Sequence, residues 1–159
     1  MTKNEFNVNM KIERRLMKKI FLTILLALTL TGCNKTNLLE ESTLNMNNEY
    51  LKMEINEEKT TNEGITFKLI NISNYDLTYG LSYHLEKEEN DKWYKVKPKE
   101  EMHFIMVAYN LKKGEEKEEN LKWTSYYGKL SKGKYRIVKS FRLKNAKEEF
   151  YTSQEFIIK

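Results

Sequence analysis

Apolar residues return at every second position along most of the chain beyond Leu51, and a period of two is the repeat of a pleated strand rather than a helix. Leu51, Met53 and Ile55 alternate with Lys52 and Glu54, and Ile65, Phe67 and Leu69 alternate with Thr66 and Lys68. The longest row is Leu77, Tyr79, Leu81, Tyr83 and Leu85, with Gly80, Ser82, His84 and Glu86 directed to the opposite face. Trp93–Val96, His103–Leu111, Leu121–Trp123, Tyr135–Leu143 and Phe150–Ile158 continue the series, giving seven or eight strands and no long helix. Asn71-Ile72-Ser73-Asn74, Asn90-Asp91-Lys92 and Lys112-Lys113-Gly114 supply the turns, and Pro98 ends the Trp93 run because proline cannot donate to a ladder. Short strands at such spacing predict an all-β sandwich or barrel, and about 110 residues suffice for a core without disulfides.

The N-terminal third reads differently. Met17-Lys18-Lys19 is followed by Ile20–Thr31 without a charge, then by Gly32-Cys33-Asn34-Lys35. A short basic region, about a dozen apolar residues and a small-residue cleavage site make the pattern of a helical export signal, and a permanent span needs roughly 20 apolar residues. Glu13 and the polar run before Met17 are foreign to such a leader, so translation is expected to begin at Met17 or Met10. Residues 1–32 form the leader and signal, Cys33–Asn48 a flexible Asn/Thr/Ser/Glu-rich tether, and residues 49–159 the folded domain.

Net charge belongs largely to the leader. The chain carries +5, yet residues 1–32 hold six Lys/Arg against two acids, which leaves 22 bases and 21 acids in the remainder. A near-neutral domain has no footprint for a phosphate backbone, so nucleic acid is excluded as a partner.

Leu30-Thr31-Gly32-Cys33 resembles the lipobox of bacterial lipoproteins. The resemblance implies cleavage between Gly32 and Cys33, a diacylglycerol thioether on the Cys33 thiol, palmitate-type acyl chains and residence on the extracytoplasmic side of a cell membrane. It also gives the single cysteine of the chain a use. A second resemblance lies in the domain. Tyr126-Tyr127-Gly128-Lys129-Leu130 followed by Gly133-Lys134-Tyr135-Arg136-Ile137-Val138-Lys139 is similar to the closing signature of a bacterial immunoglobulin-like domain. Phe67-x-Leu69-x-Asn71, Tyr79-Gly80-x-x-Tyr83-x-Leu85, Trp93-Tyr94 and Trp123 extend the likeness over residues 50–158. It implies an immunoglobulin-like sandwich of antiparallel strands. Leu130-x-x-Gly133-x-Tyr135 independently has the spacing of a tyrosine corner, with glycine at the turn and the tyrosine hydroxyl bonding upstream backbone.

Candidate chemistry is sparse. His84 and His103 stand far apart, with no Cys, Asp or Glu at metal-ligand spacing beside either, so no metal or other cofactor is expected. Glu86–Glu89 and Glu115–Glu119 mix signs with lysines and read as solvated faces. No nucleophile carries a motif, and the chain is read as a non-enzyme. Tyr94, Tyr109, Tyr126 and Tyr127 are the aromatics whose direction the alternation leaves open. The primary expectation is a lipid-anchored protein-interaction or structural module with an envelope-protein partner. The alternative is binding of carbohydrate or cell-wall polymer through exposed aromatics.

Overall fold

The computed structural model describes residues 38–159, and Cys33, the export signal and the first residues of the expected tether lie outside them. Among the described residues, ten strands form two sheets. The larger contains β1 (Leu38–Glu41), β4 (Leu77–Tyr79), β5 (His84–Glu89), β6 (Lys92–Val96), β7 (Tyr109–Leu111), β9 (Gly133–Leu143) and β10 (Phe150–Ile158). The smaller contains β2 (Leu51–Asn56), β3 (Gly64–Asn71) and β8 (Glu116–Lys122), in the order β2-β3-β8. All pairings are antiparallel.

β9 organises the larger sheet. Along one edge it pairs with β10 over its first nine residues, from Gly133 opposite Ile158 to Phe141 opposite Phe150. Along the other edge it pairs first with β5, Tyr135 opposite Lys87, and then with β4, Leu143 opposite Leu77. β6 lies outside β5, and β7 lies outside β4, so both occupy the same rank, two strands from β9.

The expected strand Leu77–Leu85 is therefore two strands sharing one edge of β9. The break falls at Gly80, whose carbonyl accepts from Lys139 Nζ (3.0 Å) rather than from a strand. Its missing Cβ also matters, since an added one would sit 3.4 Å from the Val107 carbonyl. A second difference adds a strand: Leu38–Glu41, expected within the tether, pairs with β6, Leu38 opposite Val96 and Glu41 opposite Tyr94. Lys92–Glu41 (2.9 Å) and Lys95–Glu40 (3.0 Å) ion pairs hold this exposed strand in place. The expected run His103–Leu111 is a strand only from Tyr109. Asn90 and Asp91 both take positive φ, 54° and 60°, the geometry of a two-residue type I′ hairpin.

The core lies between the sheets and follows the alternation. Leu51, Met53, Ile65, Phe67 and Leu69 from the smaller sheet face Leu77, Leu85, Ile137, Phe141 and Phe156 from the larger. Trp123, fully buried, stacks on Phe156 at 5.6 Å, and Tyr135 stacks on the same ring at 5.8 Å. At the corner before β9, the Tyr135 hydroxyl donates to the Ser131 carbonyl (2.9 Å). Gly133 there has φ 152°, and a Cβ would lie 2.7 Å from Lys87 Cε.

Candidate functional site

Two charged side chains, Glu86 and Lys139, are buried in the domain. Glu86 was expected on a solvated face, and the structure corrects this: its side chain is fully buried. Glu86 and Arg136 are cross-strand partners of β5 and β9. The guanidinium donates to Glu86 Oε2 through Nε (2.6 Å) and Nη2 (2.5 Å), and Trp93 stacks on it at 4.5 Å. His84 Nε2 lies 2.9 Å from the other oxygen, Oε1. Burial pushes the Glu86 carboxyl up, but hydrogen bonds with His84 and Arg136 and the Arg136 charge outweigh it and hold the group below the usual carboxylate range.

A depressed folded-state pKa stabilises above the unfolded value, and that contribution disappears as pH falls through the folded one. Glu86→Gln is thus expected to cost about 3 kcal/mol near neutrality, the scale for removing one partner of a buried pair. Denaturant titrations of wild type and variant should converge as the pH is lowered. A constant difference across the acid range would reject the assignment.

The second buried charge is Lys139, at 1 % exposure, in the core-facing row Tyr135, Ile137, Lys139, Phe141. Its ammonium reaches Glu119 Oε2 across the sandwich at 3.3 Å and lies 5.6 Å from the Tyr79 ring and 5.9 Å from the Phe67 ring. Burial pulls its pKa down, partly countered by Glu119. Burial, and after it the same carboxylate, push the Tyr79 hydroxyl up. Glu119, also expected in a solvated run, is thereby corrected to an inter-sheet partner. Both clusters are buried and closed by their own ion pairs, Glu86–Arg136 and Lys139–Glu119, as structural arrangements.

The remaining candidates are dispersed. His103 is exposed and lies 4.0 Å from Glu101 Oε2, on a segment remote in sequence from His84. Among the described residues, no group of three His, Cys, Asp or Glu side chains is placed to hold a metal ion. The four undirected tyrosines do not assemble into a strip. Tyr127 is buried against Tyr83 at 6.3 Å, which pushes its hydroxyl up to about 12, and Tyr126 packs on Phe104 at 6.0 Å. Tyr109 is partly exposed beside Tyr79, 5.5 Å away, and Tyr94 is half-buried on β6.

A cleft of about 1050 Å³ lies along the seam between β2 and β10, lined by Met53, Ile55, Thr61, Gln154, Phe156 and Ile158 among others. No ladder joins these two strands. At one end the seam is stitched by side chains: Thr152 Oγ1 donates to the Leu51 carbonyl (3.2 Å), and Asn48 Nδ2 donates to the Tyr151 carbonyl (3.0 Å). Beyond that, each strand turns toward the other an edge that has no strand partner among the described residues.

Two stacked antiparallel sheets with this strand pattern coincide with a family model for a bacterial Ig-like domain, which matches residues 41–157. The chain belongs to the bacterial Ig-like domain family. A second model, for a prokaryotic membrane lipoprotein lipid attachment site, matches residues 17–34. This Ig-like chain is therefore a lipid-anchored membrane lipoprotein with its domain on the extracytoplasmic side. Among the described residues, no helix of it is long and apolar enough to cross a membrane. No curated protein matches it.

Proposed function

We propose that the Cys33 thiol carries the lipid, after cleavage behind Gly32, and that the Ig-like domain is a non-catalytic module binding extended segments of other envelope proteins. The observation that supports the binding mode is the β2–β10 seam. Each wall is a strand edge without a strand partner among the described residues, and unpaired N–H and C=O groups in register are what an added strand recognises. The cleft walls carry Lys52, Glu54, Glu57, Lys134, Glu155 and Lys159, three charges of each sign, which fits a neutral peptide better than a polyanion. Partly exposed Ile55 supplies an apolar side-chain contact above a floor of buried Met53 and Phe156. Dispersal of Tyr94, Tyr109, Tyr126 and Tyr127 speaks against a carbohydrate platform.

Site-specific photocrosslinking tests this. A photoreactive residue at Ile55 and another at Gln154, one on each wall, are expected to capture the same protein segment from envelope extract. Capture of insoluble cell-wall polymer instead would favour the carbohydrate reading, and adducts equal to those from a position on β8 would reject the seam.

A further inference from the structure

Four of the eight exposed large apolar residues among those described, Ile105, Met106, Val107 and Tyr109, gather at the start of β7, whereas Ile72 and Tyr75 lie at the opposite end of the β4–β7 pair, beside Leu111. Surface apolar residues scattered singly need no explanation, but a cluster on one edge does. Its most prominent part is Ile105-Met106-Val107, with exposures of 75 %, 102 % and 38 %.

This tip is built. Lys99 N–H donates to the Tyr126 carbonyl (2.6 Å), the Phe104 ring packs edge-on against Tyr83 at 5.6 Å, and the Tyr126 hydroxyl donates to the His103 carbonyl (3.3 Å). Val107 N–H then donates to the Ile105 carbonyl (2.8 Å), a three-residue turn that carries Met106 at its apex. The base of the segment is pinned to the core while its tip presents hydrocarbon to the outside.

Topology puts the membrane anchor at the same edge. β6 runs from Lys92 to Val96 and continues directly into the segment that bears the tip. β1 is antiparallel to β6 with Leu38 opposite Val96, so the chain enters β1 from the Val96 end, where residues 97–108 cross from β6 to β7. Only residues 34–37 separate Cys33 from Leu38. At ~3.5 Å per residue, the anchor therefore lies within about 17 Å of Leu38.

We propose that Ile105, Met106 and Val107 insert into the interfacial region of the bilayer, as a second and non-covalent membrane contact beside the lipid. The occupant of this patch is phospholipid, because the membrane is already within reach of that edge. Interfacial binding grows with buried apolar area, and Tyr109 beside the tip has the apolar body and polar end suited to the headgroup level. The contact fixes orientation: the edge bearing β1 and β7 faces the bilayer, and the β2–β10 seam, on the far side of β9, faces away. The inference rests on the lipid anchor proposed above.

The test uses the full lipoprotein. Its single cysteine is consumed by the lipid, so Met106→Cys introduces one free thiol for an environment-sensitive fluorophore. Ile157→Cys is the control, since Ile157 is also apolar and exposed (63 %) but sits on β10, opposite Lys134, at the far corner of the sheet. Both labelled proteins are reconstituted into phosphatidylglycerol–phosphatidylethanolamine vesicles containing spin-labelled lipid. Quenching at position 106 is expected to exceed that at 157 roughly threefold, as for a side chain placed at the acyl boundary. Equal quenching overturns the proposal. Shielding of position 106 from aqueous iodide without lipid quenching also overturns it, since a protein or a second copy would then cover the tip. Acyl incorporation measured on the same samples reports the anchor separately, so failure of the anchor and failure of the loop contact are distinguished.

Discussion

Cys33→Ser is expected to reduce incorporation of labelled palmitate to background and to leave the precursor uncut, with the signal still attached. The reason is chemical: the sulfur is the atom that forms the thioether, and in this chain no other thiol is available to replace it. Metabolic labelling and gel mobility of the variant read both effects in one experiment. Unchanged labelling would reject Cys33 as the attachment point and would move the anchor to some other group within residues 17–34, the span of the lipoprotein match.

The largest stability effect within the domain is expected from Trp123→Ala. Trp123 has no exposed surface, stacks on Phe156, and its indole N–H donates to the Asn62 carbonyl at 3.0 Å. It also starts the short helical turn Thr124–Tyr127, which leads toward Leu130 and β9. Truncation leaves a cavity and an unsatisfied carbonyl, at a cost of about 3–5 kcal/mol. For a domain of this size that corresponds to a fall in melting temperature on the order of 10–20 °C. A calorimetric shift of only a degree or two would mean that the indole is not the keystone that its burial implies.

The sandwich was legible because its core obeys the alternation. Met53, Phe67, Leu85, Ile137 and Phe141 lie inside, as a period of two requires, and the Asn90-Asp91 turn falls where those residue types favour positive φ. Burial of Glu86 was hidden because its row, Ser82, His84 and Glu86, is uniformly polar; only the cross-strand register that brings Arg136 and Trp93 over it accounts for the burial. Lys139 did leave a signal. A lysine in phase with Tyr135, Ile137 and Phe141 is either a strand end or a buried charge, and a partner of opposite sign at the matching phase of β8, Glu119, resolves it. Splitting of the Leu77–Leu85 row was not readable, since Gly80 breaks no periodicity and its carbonyl is turned aside by a lysine nearly sixty residues away. β1 escaped notice because four residues beside a polar stretch carry no measurable period, and its pairing with β6 is a long-range event.

β1 also changes the arithmetic of encounter. A leash running freely to Asn48 would let the domain sweep a hemisphere about 55 Å in radius, whereas one ending at Leu38 allows about 17 Å, a volume roughly thirtyfold smaller. Effective concentration scales inversely with the volume explored. Four paired residues therefore act as a concentrator: they crowd the domain against whatever shares its patch of membrane and withdraw it from targets farther out in the envelope.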